Sequence, residues 1–230
     1  MPITLNARVP YINADLTHQS ANTRSYQWVV DTGAPDYIYL NSQLTDGMQF
    51  PKRFIETQTK NFEGVQIVRS AYLDTFTLAD FDFPNIASHD LPKFKDDYGI
   101  GLIGSGLLRN FDVIFDYKNK RMALKANTKF SSKTYVNRSG INLEPHTIGA
   151  VVKSISKNSY AQRLDLKVGD TVSHINKQLV TPQNFDQLRA KLSTQKQSIN
   201  ICWTSLDSTK TNPSKQATQR CADVKLLALD

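Results

Sequence analysis

Trp28-Val29-Val30-Asp31-Thr32-Gly33-Ala34 and, about seventy residues later, Leu102-Ile103-Gly104 are the two stretches on which the reading of this chain turns. In the first, an apolar strand delivers an acid, a small hydroxyl residue and a glycine into a turn, and Tyr37 to Leu40 leaves as another strand. A bare Asp-Thr-Gly arises by chance in on the order of one chain in twenty of this length, so the flanks carry the weight. The second stretch is an apolar pair closed by a glycine, followed by a short helix around Ser105 to Arg109.

Around these stretches the first half reads as short strands: Ala7 to Leu16, Tyr26 to Val30, Tyr37 to Leu40, Val65 to Tyr72, Asp112 to Asp116 and Arg121 to Lys125. Their β-branched and aromatic content, with turns such as Asp46-Gly47 between them, predicts an all-β module. Gly99-Ile-Gly101-Leu-Ile-Gly104 also satisfies the Gly-x-Gly-x-x-Gly dinucleotide pattern, but its context does not. The charged Lys93 to Asp97 precedes it where a strand is needed, and only a stub of helix fits before Phe111 turns to strand. No cofactor is expected.

The 230 residues amount to about one and a half average domains. With 40% hydrophobic and 21% charged residues the composition is that of an ordinary globular protein, which excludes disorder. No uncharged stretch approaches a membrane span, and Met1-Pro2-Ile3-Thr4-Leu5 lacks the basic start and apolar run of a signal peptide. Charge divides the chain: residues 1–130 carry 14 Lys+Arg against 14 Asp+Glu, whereas residues 131–230 carry 14 against 7. That asymmetry suggests two modules with different surfaces. The basic residues are scattered and the densest run, Lys118 to Arg121, reads as a hairpin turn, so nucleic-acid binding is not favoured.

Asn127 to Gly140 is polar and lacks apolar periodicity, and residues 128–140 read as a linker. Beyond it, Ala150 to Ile155 reads as a buried strand, and Phe185, Leu188 and Leu192 share one face of a helix over Asn184 to Leu192. This second half is an α+β module. Cys202 and Cys221 flank a polar stretch whose outer arms alternate like paired strands. A disulfide across that hairpin is one reading and two half-buried thiols the other; the bridge would point to an oxidising compartment, periplasmic or secreted rather than cytoplasmic. The cysteines have no histidine near them and His18, His89, His146 and His174 are dispersed, so no metal site is expected.

The order Asp31-Thr32-Gly33-Ala34, Leu102-Ile103-Gly104, Leu107-Leu108-Arg109-Asn110, Phe111-Asp112-Val113-Ile114-Phe115-Asp116-Tyr117 and Arg121-Met122-Ala123-Leu124 resembles the bacterial retropepsin-like aspartic proteases over residues 1–127. The resemblance implies that Asp31 is the catalytic acid and that Thr32 and Gly33 complete its loop. Ala34, Leu102, Ile103 and Gly104 would support that loop from beneath. Two carboxylates a hydrogen bond apart share one proton, one acting as base toward water and the other hydrogen-bonding the scissile carbonyl. Asp31 is the only Asp-Thr/Ser-Gly acid in the chain, so a second copy must supply its partner in a twofold homodimer acting on a polypeptide substrate. Ala34 offers no hydroxyl to the pair, which leads us to expect activity reaching toward neutral pH. The best flap candidate is the hairpin around Phe62, Glu63 and Gly64. A catalytically inactive adaptor built on the same fold is the alternative.

Residues 141–230 resemble a bacterial PDZ domain through Ile148-Gly149-Ala150-Val151-Val152, Asn158-Ser159-Tyr160-Ala161, Leu166 to Val172 and Ile175-Asn176. The resemblance implies a peptide ligand that adds as a strand to a sheet edge, its terminal carboxylate held by backbone N–H groups. The loop is expected around His146 to Gly149, the edge strand over Ala150 to Ile155, and Ile148, Gly149, Ala150 and Val151 among the binding residues. Two positions depart from the pattern. Asp165 and Lys177 stand where glycines are usual, and Lys177 predicts a turn longer than a tight hairpin.

Overall fold

A computed structural model describes residues 1–18, 22–41, 48–61, 64–91, 99–194, 197–205 and 219–229. The chain is mainly β and divides into two compact units, Met1–Phe54 with Val68–Val136, and Ile55–Ile67 with Asn137–Asp230.

Eight strands make the first sheet: β1 (Thr4–Asn6), β2 (Val9–His18), β3 (Asn22–Asp31), β4 (Ile38–Leu40), β5 (Ile55–Asn61), β6 (Gly64–Leu78), β7 (Phe81–Asp90) and β8 (Gly101–Gly104). Their order is β1-β2-β3-β8-β4-β7-β6-β5, and a further pairing of β2 with β6 closes the sheet on itself. Only β1 and β5 are left as terminal strands of this sheet. Its interior is filled by Trp28, Ile38, Leu40, Leu73, Phe76, Phe83, Ile86 and Ile103, all essentially inaccessible. Trp28 meets Phe76 edge-on at 5.1 Å, and its indole N–H donates to the Ala14 carbonyl at 3.2 Å, so its one polar atom is satisfied. The short helix α1 (Ser105–Leu108) follows β8, and β9 (Phe111–Asp116) pairs with β10 (Arg121–Ala126) in a separate ribbon.

The stretch 128–140 is not the linker that its polarity predicts. Phe130 packs against Phe81, Phe83 and Phe111, at centroid distances of 5.4, 6.0 and 5.6 Å. Thr134 Oγ1 accepts the Ala87 N–H and donates to the Asn85 carbonyl, while the Val136 N–H donates to the Tyr72 hydroxyl. A few well-placed contacts dock a segment that has no apolar period. The division accordingly falls between Val136 and Asn137.

The second unit carries β11 (Ile141–His146), β12 (Gly149–Ile155), β13 (Thr171–Ile175), β14 (Gln178–Leu179), β15 (Ser198–Thr204) and β16 (Gln219–Lys225), in the order β11-β12-β13-β15-β16 with β14 beside β13. Helix α2 (Phe185–Thr194) buries Phe185, Leu188 and Leu192 in the same core as Leu143, Val152, Ile175 and Ile201. Cys202 and Cys221 are direct cross-strand partners and are joined as a disulfide, closing a loop worth roughly 3 kcal/mol against the unfolded chain. The turn at Lys177 is tighter than its side chain suggests. Ile175 pairs directly with Gln178, and Asn176 and Lys177 both take left-handed backbone, at φ 47° and 63°. The Asn176 Oδ1 acceptor takes the Asn200 N–H and anchors the turn where glycine is missing.

A lysine in left-handed backbone costs about 1 kcal/mol relative to an unstrained conformation. Lys177→Gly should therefore raise the stability of this unit by about 0.5–1 kcal/mol, read as a higher urea midpoint with an unchanged slope.

Candidate functional site

Asp31 is the last residue of β3, and its position is set by the strand beside it. β8 lies between β3 and β4, parallel to the first with Val30 opposite Ile103 and Asp31 opposite Gly104, and antiparallel to the second with Ile38 opposite Ile103. The chain from Asp31 to Tyr37 crosses the end of β8, and the main chain of residues 104–106 holds it there. The Gly104 N–H donates to the Tyr37 carbonyl at 2.9 Å, the Ser105 N–H to the Ala34 carbonyl at 2.7 Å and the Gly106 N–H to the Asp36 carbonyl at 3.0 Å. The Ser105 hydroxyl adds a second bond to the Ala34 carbonyl at 2.8 Å. Within the turn the Ala34 N–H donates to the Asp31 carbonyl, and the Gly33 N–H donates to Asp31 Oδ1 at 2.8 Å.

The glycines that imitate a dinucleotide motif serve this crossing. A Cβ on Gly104 would stand 2.3 Å from the Asp36 carbonyl oxygen, and one on Gly101 would stand 2.0 Å from the Tyr39 carbonyl oxygen. Neither space admits a side chain. Ile103 between them is fully buried, whereas Thr32 and Gly33 are exposed and Asp31 is half-buried. The structure thus brings Asp31, Thr32, Gly33, Ala34, Leu102, Ile103 and Gly104 together at one sheet end.

Asp36, Tyr39 and His89, which the sequence reading passed over, join them. The Tyr39 hydroxyl donates to Asp36 Oδ2 at 2.6 Å, and His89 Nε2 lies 3.4 Å from the same oxygen. His89 Nδ1 is 2.8 Å from the Ser70 hydroxyl, and the His89 and Tyr39 rings stack at 4.9 Å. Ser70, His89 and Tyr39 are direct neighbours across β6, β7 and β4, so one row of the sheet carries the chain. Tyr37, below the turn, accepts from Arg109 at 3.5 Å. The signal in the sequence was the second acid five residues after Asp31, with Tyr39 three residues beyond it, but His89 comes from a strand about fifty residues away.

The Ser70–His89–Asp36 order has the outline of a nucleophile, base and acid, but the burial runs the wrong way. Ser70 is buried at 3% exposure while the Asp36 side chain is 47% exposed, so no substrate reaches the hydroxyl.

Other expected site residues lie elsewhere. Phe62 and Glu63 fall outside the described residues, and Gly64 opens β6. The strand expected at a sheet edge, Ala150 to Ile155, is interior: β12 pairs with β11 on one side and β13 on the other. Thr147 and Ile148 form a hairpin tip, with Ile148 74% exposed, and Gly149, Ala150 and Val151 are paired on both sides of that interior strand or packed beneath it. β11 is one edge of the sheet, with α2 beside it, and β16 is the other. The apolar run of β12 marks a strand buried on both flanks, which is where such runs belong. Among the described residues no group of three or more His, Cys, Asp or Glu could hold a metal, and no helix is long and apolar enough to cross a membrane.

No family model and no curated protein matches the chain. Among solved structures it is similar to a retropepsin-like aspartic protease from Rickettsia conorii, at 25% identity over 54% of this chain and 97% of that one, with a TM-score of 0.42. It is also similar to an HtrA-type protease with a decapeptide, at 14% identity over 98% of this chain and 80% of that one, with a TM-score of 0.37.

Burial, and then the charge of Asp36, push the Tyr39 phenol above its usual value of 10.0, and burial pushes Tyr37 the same way against the opposing pull of Arg109. The folded state therefore keeps protons that the unfolded chain releases above pH 10. Stability is complete below that pH and should fall above it by about 1.4 kcal/mol per pH unit for each such phenol. Urea unfolding of wild type and Tyr39→Phe between about pH 9 and 11.5, followed through the Trp28 indole, should show the shallower pH slope in the variant.

Proposed function

We propose that this chain is an aspartic endopeptidase that works as a homodimer, each copy contributing Asp31. The observation that carries the reading is the turn itself: on an Asp-Thr-Gly sequence, a strand-end carboxylate accepts the Gly33 N–H, and the chain that leaves it is held through the Ala34, Asp36 and Tyr37 carbonyls by three main-chain N–H donors of residues 104–106. A rigid turn is what a shared-proton pair requires, because two carboxyls must meet within a hydrogen bond and stay there.

In this reading the pair of Asp31 side chains holds one proton. The ionised member takes a proton from a water, whose oxygen attacks the scissile carbonyl carbon, and the protonated member hydrogen-bonds the carbonyl oxygen as negative charge develops there. The resulting tetrahedral species expels the amine as the nitrogen receives a proton from the pair. Thr32, exposed at the tip of the turn, is available to hydrogen-bond across the twofold axis. The hairpin around Phe62, Glu63 and Gly64 is proposed as the flap.

We read residues 137–230 as a PDZ module that recruits or regulates a peptide substrate, with β11 as the edge strand and α2 as the other wall of the groove. The Cys202–Cys221 bridge supports a periplasmic or secreted location.

Wild type should cleave an unfolded protein somewhere between about pH 3 and 8, with specific activity that falls as the dimer is diluted. Asp31→Asn should sediment as the same dimer and lose about a thousandfold or more in kcat. Absence of wild-type cleavage across that range, or equal cleavage by the variant, leaves the inactive adaptor as the reading. Ala34→Ser places a hydroxyl beside the pair, and its activity profile should move toward acid by about half to one pH unit.

A further inference from the structure

A loop that captures a peptide terminus needs backbone N–H groups that point at the ligand and have no other partner. Because β11 is the edge strand, the loop that leads into it is residues 137–140. Two of the main-chain donors at this entrance, those of Ser139 and Ile141, are engaged by the loop's own side chains. The Ser139 N–H donates to Asn137 Oδ1 at 3.2 Å, and the Ser139 hydroxyl donates to the same oxygen at 2.7 Å. The Ile141 N–H donates in turn to Ser139 Oγ at 3.1 Å. Asn137 completes the circuit through Nδ2, which donates to the Ile141 carbonyl at 2.9 Å. The Asn137 carboxamide oxygen thus takes two donors of the loop, as a carboxylate oxygen could. Ser139 and Ile141 are both fully buried.

The basic side chain of the loop is turned away as well. Arg138 Nη1 donates to the Leu227 carbonyl at 3.4 Å, and the Leu227 N–H donates to the Arg138 carbonyl at 3.0 Å. The edge beyond the loop is blunted by the same logic. Main-chain groups of a strand point to alternate sides along its length. The N–H and C=O of Ile141 are taken by Ser139 and Asn137, so they face away from β12. Two and four residues on, Leu143 and Pro145 present the same side, and Pro145 has no N–H to give. The edge is thus capped at one end by side chains and at the other by a proline, with Leu143 between them.

We infer that the second unit is closed to peptides ending in a free carboxylate, because Asn137 and Ser139 occupy its terminus-binding loop as a built-in ligand. The inference rests on reading this unit as a PDZ module, and it narrows the substrate class of that module to internal segments of a chain. It also explains the Asn137-Arg138-Ser139 sequence, which matches a glycosylation signal but whose amide nitrogen is spent on Ile141.

The full chain is titrated with a fluorescent decapeptide ending in Val-Phe, once as the free acid and once as the C-terminal amide, for wild type, Asn137→Ala and Ser139→Ala. Wild type should bind both forms within twofold, and at least one variant should favour the free acid by about tenfold or more. A wild-type preference of that size for the free acid overturns the inference and leaves the PDZ reading standing. Binding of neither form by wild type and both variants overturns the PDZ reading together with the inference. Hydrogen exchange in wild type is a second measure that does not depend on the variants folding: slow exchange of the Ser139 and Ile141 amides is expected, and fast exchange of both overturns the closed loop.

Discussion

The first unit is organised around one strand insertion. β8 is four residues long, yet it joins β3 to β4 and, with the start of α1, supplies the donors that fix the turn carrying Asp31. Each of these bonds contributes about 1 kcal/mol net, but leaving the buried carbonyls of Ala34, Asp36 or Tyr37 without a donor would cost more than forming the bonds gains. The glycines follow from this constraint. Main chain passes over main chain at residues 101 and 104, so the close approach, and not flexibility, excludes a Cβ there.

The polar row of Ser70, His89 and Tyr39 shows how the same turn is held from the other flank. A buried row of hydrogen-bonding groups is costly unless each member has a partner. Here the row ends on Asp36, whose main chain is bonded to α1 and whose side chain reaches water. The carboxylate accepts from Tyr39, whose phenol burial keeps in its donor form. Asp36 therefore couples the exit of the turn to β4 and β7 at once.

Much of this was legible in the sequence, and the parts that were not share a cause. Asp31, Ile103 and Gly104 could be read because strand, turn and close approach leave local marks: an apolar run, a small polar triplet, a glycine. α2 was readable from the spacing of Phe185, Leu188 and Leu192 for the same reason. Tyr39 stands only three residues after Asp36, but His89 and Ser70 were hidden because register across β4, β7 and β6, rather than spacing along the chain, brings them in. Phe130 and Thr134 carry no such mark, because a docked segment with three or four specific contacts needs no periodicity. The strand over Ala150 to Ile155 is interior and not an edge, as its apolar composition suits, and the preference of Lys177 alone does not set its turn, because Asn176 and Asn200 hold it.

The arrangement around Asp36 also bears on the proposal that one copy of the chain carries half of a catalytic site. With two carboxylates five residues apart, an intramolecular pair would be the economical reading, and no dimer would be needed. The partners of Asp36 argue against it. Its Oδ2 accepts the Tyr39 hydroxyl and faces His89 Nε2, so a shared proton with Asp31 would have to displace a short bond to a phenol that burial holds in its donor form. Its carbonyl is bound to Gly106, which keeps the residue on the α1 side of the turn. Asp31, by contrast, receives one main-chain donor from Gly33 on Oδ1, at the tip of a turn whose Thr32 and Gly33 are exposed. In the proposed peptidase a carboxylate so presented, with its neighbour committed elsewhere, meets an equivalent across a twofold axis, and for that reason the two proposals, peptidase and dimer, stand or fall together.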